Sequence, residues 1–172
     1  MGPHGRVRRA EDSPKREPEP MPEEIDFELE LAEIGRPSGF RSLIGYKTIE
    51  WREGYGEILL RLEPKHMNAR MIPHGGLYMA VMDSAMGHAA TYCPVPGHHR
   101  RCVTVGFQTN FLAPAAGAYL RARAWLVSAE NRIATCRGEV VDAQGTLCAA
   151  AQGSFRYMRG SEHLEGVPDK PR

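Results

Sequence analysis

From Gly75 to Tyr92 the sequence is apolar nearly all round, with Asp83 as its only formal charge and His88 as its only other strongly polar ring. A helix without a polar face has to be buried, so the rest of the chain must supply enough structure to wrap it. A membrane span would be the other way to hide such a segment. The stretch falls short of the roughly 20 apolar residues a bilayer needs, and a carboxylate at its middle would be costly there. The flanks offer the wrapping instead. Leu43 to Trp51 and Glu57 to Leu62 are strand-like and joined through the turn Glu53-Gly54-Tyr55-Gly56. After Cys93-Pro94-Val95-Pro96-Gly97, four β-rich runs follow: Cys102 to Leu112, Ala118 to Ala129, Arg132 to Ala143 and Thr146 to Met158. Leu120, Ala122, Ala124 and Leu126 alternate with Arg121, Arg123 and Trp125, and the breaks at Pro114-Ala115-Ala116-Gly117, Glu130-Asn131 and Gln144-Gly145 are turn-like. Two strands before a buried helix and four after it predict an α+β architecture, one antiparallel sheet in a meander curled around a single long helix.

The 172 residues allow one domain with a real core, because a chain of roughly 150 residues buries about 70% of its unfolded surface. Residues 1–22 carry five prolines among mixed charges, with little apolar surface to offset the entropy of ordering, and are expected to be a disordered tail. Residues 23–40, with acids in the first turn and a Gly at position 35, suggest a short helical extension, although Phe27, Leu29 and Leu31 also alternate as a strand would. The domain proper is expected over residues 41–158, and 159–172 as a flexible C-terminal tail. The 22 basic and 21 acidic residues nearly cancel, which gives no whole-molecule field for nucleic acid or an anionic membrane. Cys93, Cys102, Cys136 and Cys148 show no metal-ligand spacing, and no apolar signal segment opens the sequence, so reduced thiols and a cytoplasmic location are expected.

The segment from His66 to Gly76 leads directly into the helix bearing Asp83. A Gly pair at a helix N-terminus lets a substrate oxygen approach free backbone N–H groups, which the helix dipole makes good hosts for developing negative charge. Taken alone, the glycines fit a tight loop-to-helix turn equally well. Asp83 likewise admits two readings, a structural carboxylate paired with an Arg from the sheet, or a functional one, since an unpaired buried acid is expensive. Asp83 lies eight residues after Gly75, about 12 Å along a helix. It cannot reach a carbonyl held at its own helix start. If both groups act on one molecule, the N–H comes from one protomer and the carboxylate from another, across a two-fold axis.

The run His66, Asn68, His74-Gly75-Gly76, Asp83 and Ala85 resembles the motif of the phenylacetate-pathway (PaaI-type) branch of the hotdog-fold thioesterases, within the 4-hydroxybenzoyl-CoA thioesterase superfamily, over about residues 40–158. The resemblance implies a hotdog fold, dimeric and pairing into a homotetramer, that hydrolyses a small to medium or aromatic acyl-CoA to the free acid and CoA. It implies that the Gly75 N–H polarises the thioester carbonyl with Asn68 and His74 nearby, and that Asp83 of the other subunit activates water or attacks the carbonyl itself. Thr104, on the strand after the helix, would help hold that water. Gly76, Met82 and Ser84 would contact substrate, and Arg132 lies in a turn similar to a coenzyme A contact region. No metal or cofactor is implied beyond the coenzyme A of the substrate. The sequence departs from the family at Ala69-Arg70-Met71, where a Gly is common. Met79, Met82, Met86, Phe107 and Phe111 are expected to line the acyl pocket, and the basic run His98-His99-Arg100-Arg101 is either a phosphate contact or a solvated loop.

Two further readings remain at this level. One is a hotdog hydratase or dehydratase, which would use a His with an acid on the central helix. The other is a non-catalytic acyl-CoA-binding protein that keeps the fold.

Overall fold

The computed structural model describes residues 38–169. The chain opens with a short helix, α1 (Gly39–Ile44), bounded by recognisable stops: the Ser38 hydroxyl accepts from the Arg41 N–H at 3.2 Å, and Gly45 ends it in the left-handed region at φ 85°. The strand expected from Leu43 therefore begins only at Tyr46. Strands β1 (Tyr46–Arg52) and β2 (Tyr55–Arg61) form a hairpin around Glu53-Gly54. The turn is tighter than expected, because Gly54 at φ 68° makes the reversal and Tyr55 and Gly56 are already paired. The long helix α2 (Gly75–Thr91) follows, then β3 (His98–His99), β4 (Cys102–Phe111), β5 (Tyr119–Glu130), β6 (Ile133–Asp142), β7 (Leu147–Tyr157) and β8 (Val167–Pro168).

Six strands form one antiparallel sheet in the order β1-β2-β5-β6-β7-β4, and α2 touches all six. Its face toward the sheet is wholly enclosed: Val81, Met82, Ala85, Met86 and Ala90 have no exposed surface. This is the curled sheet around one helix that the apolar helix demanded. The expected meander holds only for β5, β6 and β7. Strand β4 skips its sequence neighbour β5 and pairs with β7 at the far edge. Packing explains the choice, since Phe107, Thr109 and Phe111 of β4 stand opposite Gly153, Ala151 and Ala149 of β7. A Cβ on Gly153 would lie 2.6 Å from that of Phe107, so the large side chains of β4 fit only beside small ones. Seven residues, 112–118, span about 24 Å extended, enough to cross the three strand spacings of about 14 Å between β4 and β5.

The segment after β7, expected as a flexible tail, is docked as far as residue 169. Ser161 is buried, β8 pairs with β3, the Arg100 guanidinium donates to the Ser161 carbonyl at 2.9 Å, and His99 meets the Asp169 carboxylate at 2.7 Å. Short polar stretches carry no hydrophobic period, so a segment held by backbone and side-chain hydrogen bonds leaves little trace in a sequence. The tail expected over 1–22 and most of the extension expected over 23–40 lie outside the described residues.

Gly56 marks the closest approach of sheet and helix: an added Cβ would sit 2.6 Å from the Ala85 carbonyl oxygen and 2.7 Å from the His88 Cβ. Gly56→Ala is expected to cost about 1–3 kcal/mol, as overpacking against backbone does, read as a lower urea midpoint.

Candidate active site

Helix α2 starts where His74 turns the chain into it. The His74 Nδ1 accepts the Gly76 N–H at 2.9 Å, and its carbonyl accepts the Leu77 N–H at 2.8 Å. The first N–H groups of a helix have no intrahelical acceptor; with two of them taken, the N–H of Gly75 is left to meet an outside oxygen. The Phe111 ring covers this position: a Cβ on Gly75 would meet it at 3.3 Å, and the same ring packs edge-on against Tyr78, with centroids 6.1 Å apart. Gly75 thus joins a donor that is unpaired among the described residues to an apolar aromatic wall.

Asp83 lies a little over two turns further along α2, on the stripe the sheet does not cover. It is half-buried, and the Thr104 hydroxyl of β4 donates to its Oδ1 at 2.8 Å. Burial pushes its carboxyl above the ordinary carboxylate range, and the Thr104 hydrogen bond holds part of that rise back. Among the described residues no ion pair involves Asp83, so the Arg partner that a structural role would supply is not seen. Asp142 shows what a structural carboxylate looks like in this fold. It is buried too, but accepts backbone N–H groups from Ala116, Gln144 and Thr146 at 2.9–3.0 Å and thereby fixes two turns.

The other expected site residues divide. Ser84 accepts from the Tyr46 hydroxyl at 2.9 Å and faces the same open side as Asp83. Asn68 is turned inward on its own loop: its side-chain oxygen takes the Arg70 N–H at 2.8 Å, and Met71 at φ 58° closes the turn. Ala69-Arg70-Met71 thus makes a reversal that ordinarily favours Gly, with Met71 accepting the positive φ. Met82, expected to contact substrate, is a fully enclosed core side chain, and so is the expected wall residue Met86; both point at the sheet. Met79 and Phe111 keep exposed surface. Arg132 donates to the Tyr157 carbonyl at 2.8 Å and lies 3.8 Å from Glu162, so it serves the docked C-terminal segment. In the basic run, Arg100 is likewise engaged by the Ser161 and Tyr92 carbonyls and by the Tyr157 ring.

His66 and His88 are structural by their partners. His66 is buried, accepts the Glu63 N–H at 3.0 Å and donates to the Ile44 carbonyl at 2.9 Å, both ring nitrogens of one neutral tautomer. His88 donates to the Ser84 carbonyl at 2.6 Å, and burial pulls its pKa down. Tyr46 is a site neighbour that no local signal reveals. It lies 38 residues before Ser84, and only the return of β1 alongside the helix joins them.

An uncompensated charge at Asp83 is costly. Its raised pKa means that the folded state disfavours the carboxylate, so stability present at acid pH is lost as pH rises through the range between the ordinary and raised values. Asp83→Asn is therefore expected to raise the thermal midpoint at pH 7 relative to wild type and to lose that advantage near pH 3, measured by calorimetry at both.

Residues 72–149, from just before His74 into β7, match the model of the thioesterase superfamily. A Thermoplasma acidophilum protein named as an esterase is 29% identical over 76% of this chain and 96% of its own length. Among solved structures, the phenylacetic acid degradation protein PaaI of Thermus thermophilus is 28% identical, covering 69% of this chain and 98% of its own, with a TM-score of 0.60. A Bacillus halodurans protein solved with CoA is 28% identical over 72% of this chain and 80% of its own, with a TM-score of 0.62. The architecture is the hotdog fold, and the superfamily match and the esterase relative support hydrolase activity.

Proposed function

We propose that this protein is an acyl-CoA thioesterase of the PaaI type, working as a homodimer that pairs into a tetramer, on a small to medium or aromatic acyl-CoA. The observation that carries the reading is the half-buried Asp83 carboxylate, held by Thr104 and without an ion pair among the described residues, on the same helix whose start leaves the Gly75 N–H open. A general base needs a pKa raised toward the working pH, and an oxyanion needs a donor fixed before the reaction. The relatives add a CoA-bound protein of similar structure and a phenylacetate-pathway protein.

The separation of about 12 Å between Gly75 and Asp83 supports a reading in which they serve different halves of a shared site. One protomer's Gly75 N–H takes the thioester oxygen while its partner's Asp83 draws a proton from water, and Thr104 orients the carboxylate. Water adds to the carbonyl carbon, and the C–S bond breaks to give acid and CoA thiol. Strand β4 supports the assembly: it is an open edge of ten residues on which Val103 and Val105 are more than half exposed. An unpaired apolar edge of this length is a liability unless another strand covers it. Here a second copy would also bring a second α2 beside the first.

Asp83→Ala is expected to lower kcat at least 100-fold with the oligomer intact, read by thiol release from a panel of acyl-CoAs. Near-normal turnover would remove Asp83 from the chemistry, and CoA-ester binding without turnover by the wild type would favour a non-catalytic binding protein. Mixing Asp83→Ala protomers with Gly75→Pro protomers tests the shared site, because Pro is tolerated at the first helical position but lacks the N–H. Partial recovery on mixing is expected, and no recovery would place each site within one protomer.

The pH profile follows from the base. The deprotonated form is active, so kcat/KM rises with pH through the raised Asp83 pKa. Thr104→Val removes the bond that lowers that pKa, and is expected to move the acid limb to higher pH; an unmoved limb would detach Thr104 from the base.

A further inference from the structure

The stripe of α2 that the sheet leaves uncovered runs Asp83, Ser84, Gly87, His88, Thr91, all half-buried between the two open edges β1 and β4. A cavity of about 360 Å³ follows this stripe away from Asp83. Trp51, Gly87, Thr91, Cys102 and Met158 are among the residues that line it, together with Arg100 and Arg101. Cys102 stands two residues before the Thr104 that holds Asp83, and Ser84, next to Asp83 in the chain, also lines the cavity, so its near end lies beside the carboxylate. Trp51 is a fixed wall, its indole N–H donating to the His88 carbonyl at 2.8 Å and its ring edge-on to His88 and Tyr92.

Gly87 is the residue that makes this space. Gly inside a helix is less favourable than Ala, and close packing accounts for glycines elsewhere in the core: Gly56 and Gly153 have backbone or side-chain atoms within 2.6 Å of an added Cβ. A Cβ at Gly87 would meet nothing within 4 Å. Packing within the protomer therefore does not require Gly at 87, and the missing side chain leaves the cavity open one turn beyond Asp83.

We infer that Gly87 sets the acyl specificity, and that the groove it opens takes the acyl chain of the thioester as an extended, unbranched chain of medium length. The inference rests on the thioesterase reading above. From Ser84 to Thr91 the groove runs about 10 Å. With C–C bonds of about 1.5 Å in staggered zigzag, about 1.25 Å of advance per bond, that length holds roughly eight carbons. The volume is at the small end of ligand sites; of the two arginines that line it, Arg100 is already held by the Ser161 and Tyr92 carbonyls and Arg101 is exposed to solvent, while Trp51, Cys102 and Met158 give the apolar wall that suits a hydrocarbon.

Trp51 supplies a readout that does not depend on turnover. In a Trp125→Phe background Trp51 is the remaining tryptophan, and its fluorescence is titrated with non-hydrolysable alkyl thioethers of CoA from methyl to dodecyl. Affinity is expected to rise with length to about octyl and then level off. Gly87→Leu is expected to weaken octyl binding at least tenfold, leave methyl binding within about twofold, and keep the oligomeric mass. Thr91→Phe, which fills the far end, is expected to lower the preferred length by several carbons and covers the case in which Gly87→Leu fails to fold. Equal loss at all lengths, or no change in either variant, would overturn the inference. Dissociation of the oligomer by Gly87→Ala would overturn it too, by assigning the space to a partner's backbone. Hydrolysis of short, medium-chain and aromatic acyl-CoAs by the wild type is followed in parallel: its absence across that panel would refute the thioesterase reading, while the thioether titration still decides the groove.

Discussion

Helix α2 needs cover on nearly every side, and the demand shapes the molecule. Its enclosed face is leucine, valine, methionine and alanine with Tyr78 as the one residue bearing a polar group, so six strands curl around it and each contributes to the enclosure. Small residues make the fit possible. Gly56 admits the helix backbone to the sheet, and Gly153 admits Phe107, which fixes β4 at the far edge beside β7. That edge position then decides what the uncovered stripe of the helix can meet, because Thr104 and Phe111 reach Asp83 and Gly75 from the same strand.

The candidate site is built from the two places where this enclosure is incomplete. At the helix start, His74 takes two of the free N–H groups and leaves that of Gly75 without an acceptor among the described residues; at the middle, a carboxylate lies half out of solvent with the Thr104 hydroxyl to hold it. Each carries an energetic cost that a purely structural helix would avoid, either by a different cap or by an ion pair of the kind that ties Glu139 to Arg123 at 2.7 Å. Asp142 shows that the fold can satisfy a buried acid fully when only a turn is at stake. The contrast between the two aspartates is what supports reading Asp83 as a working carboxylate beside the structural Asp142.

Much of this is legible in the residues. The helix, all six sheet strands to within a few positions, and the spacing of Gly75 and Asp83 along α2 all follow from apolar periodicity, turn chemistry and helix rise. Contacts between distant segments do not. Nothing local marks Met82 as core and Gly87 as open surface, since both lie on one apolar helix and only the placement of the sheet distinguishes its faces. Nor do Arg100 and Arg132 reveal in their local sequence that their guanidinium groups are already in use, because their acceptors include backbone carbonyls, and every residue has one. Asn68 belongs with them, as its amide closes its own loop where a substrate contact was expected.

That a buried helix carries one carboxylate and starts at a glycine pair is dictated by the order of residues alone, because it depends on composition and on the fixed geometry of a helix. Folding in three dimensions settles which stripe of that helix stays open, which strand stands beside it, and which cations are already used. Those outcomes come from long-range packing and register, where the energy lies in pairs of residues tens of positions apart. A period along the chain records which face is apolar, and only the folded sheet says which part of it is left uncovered.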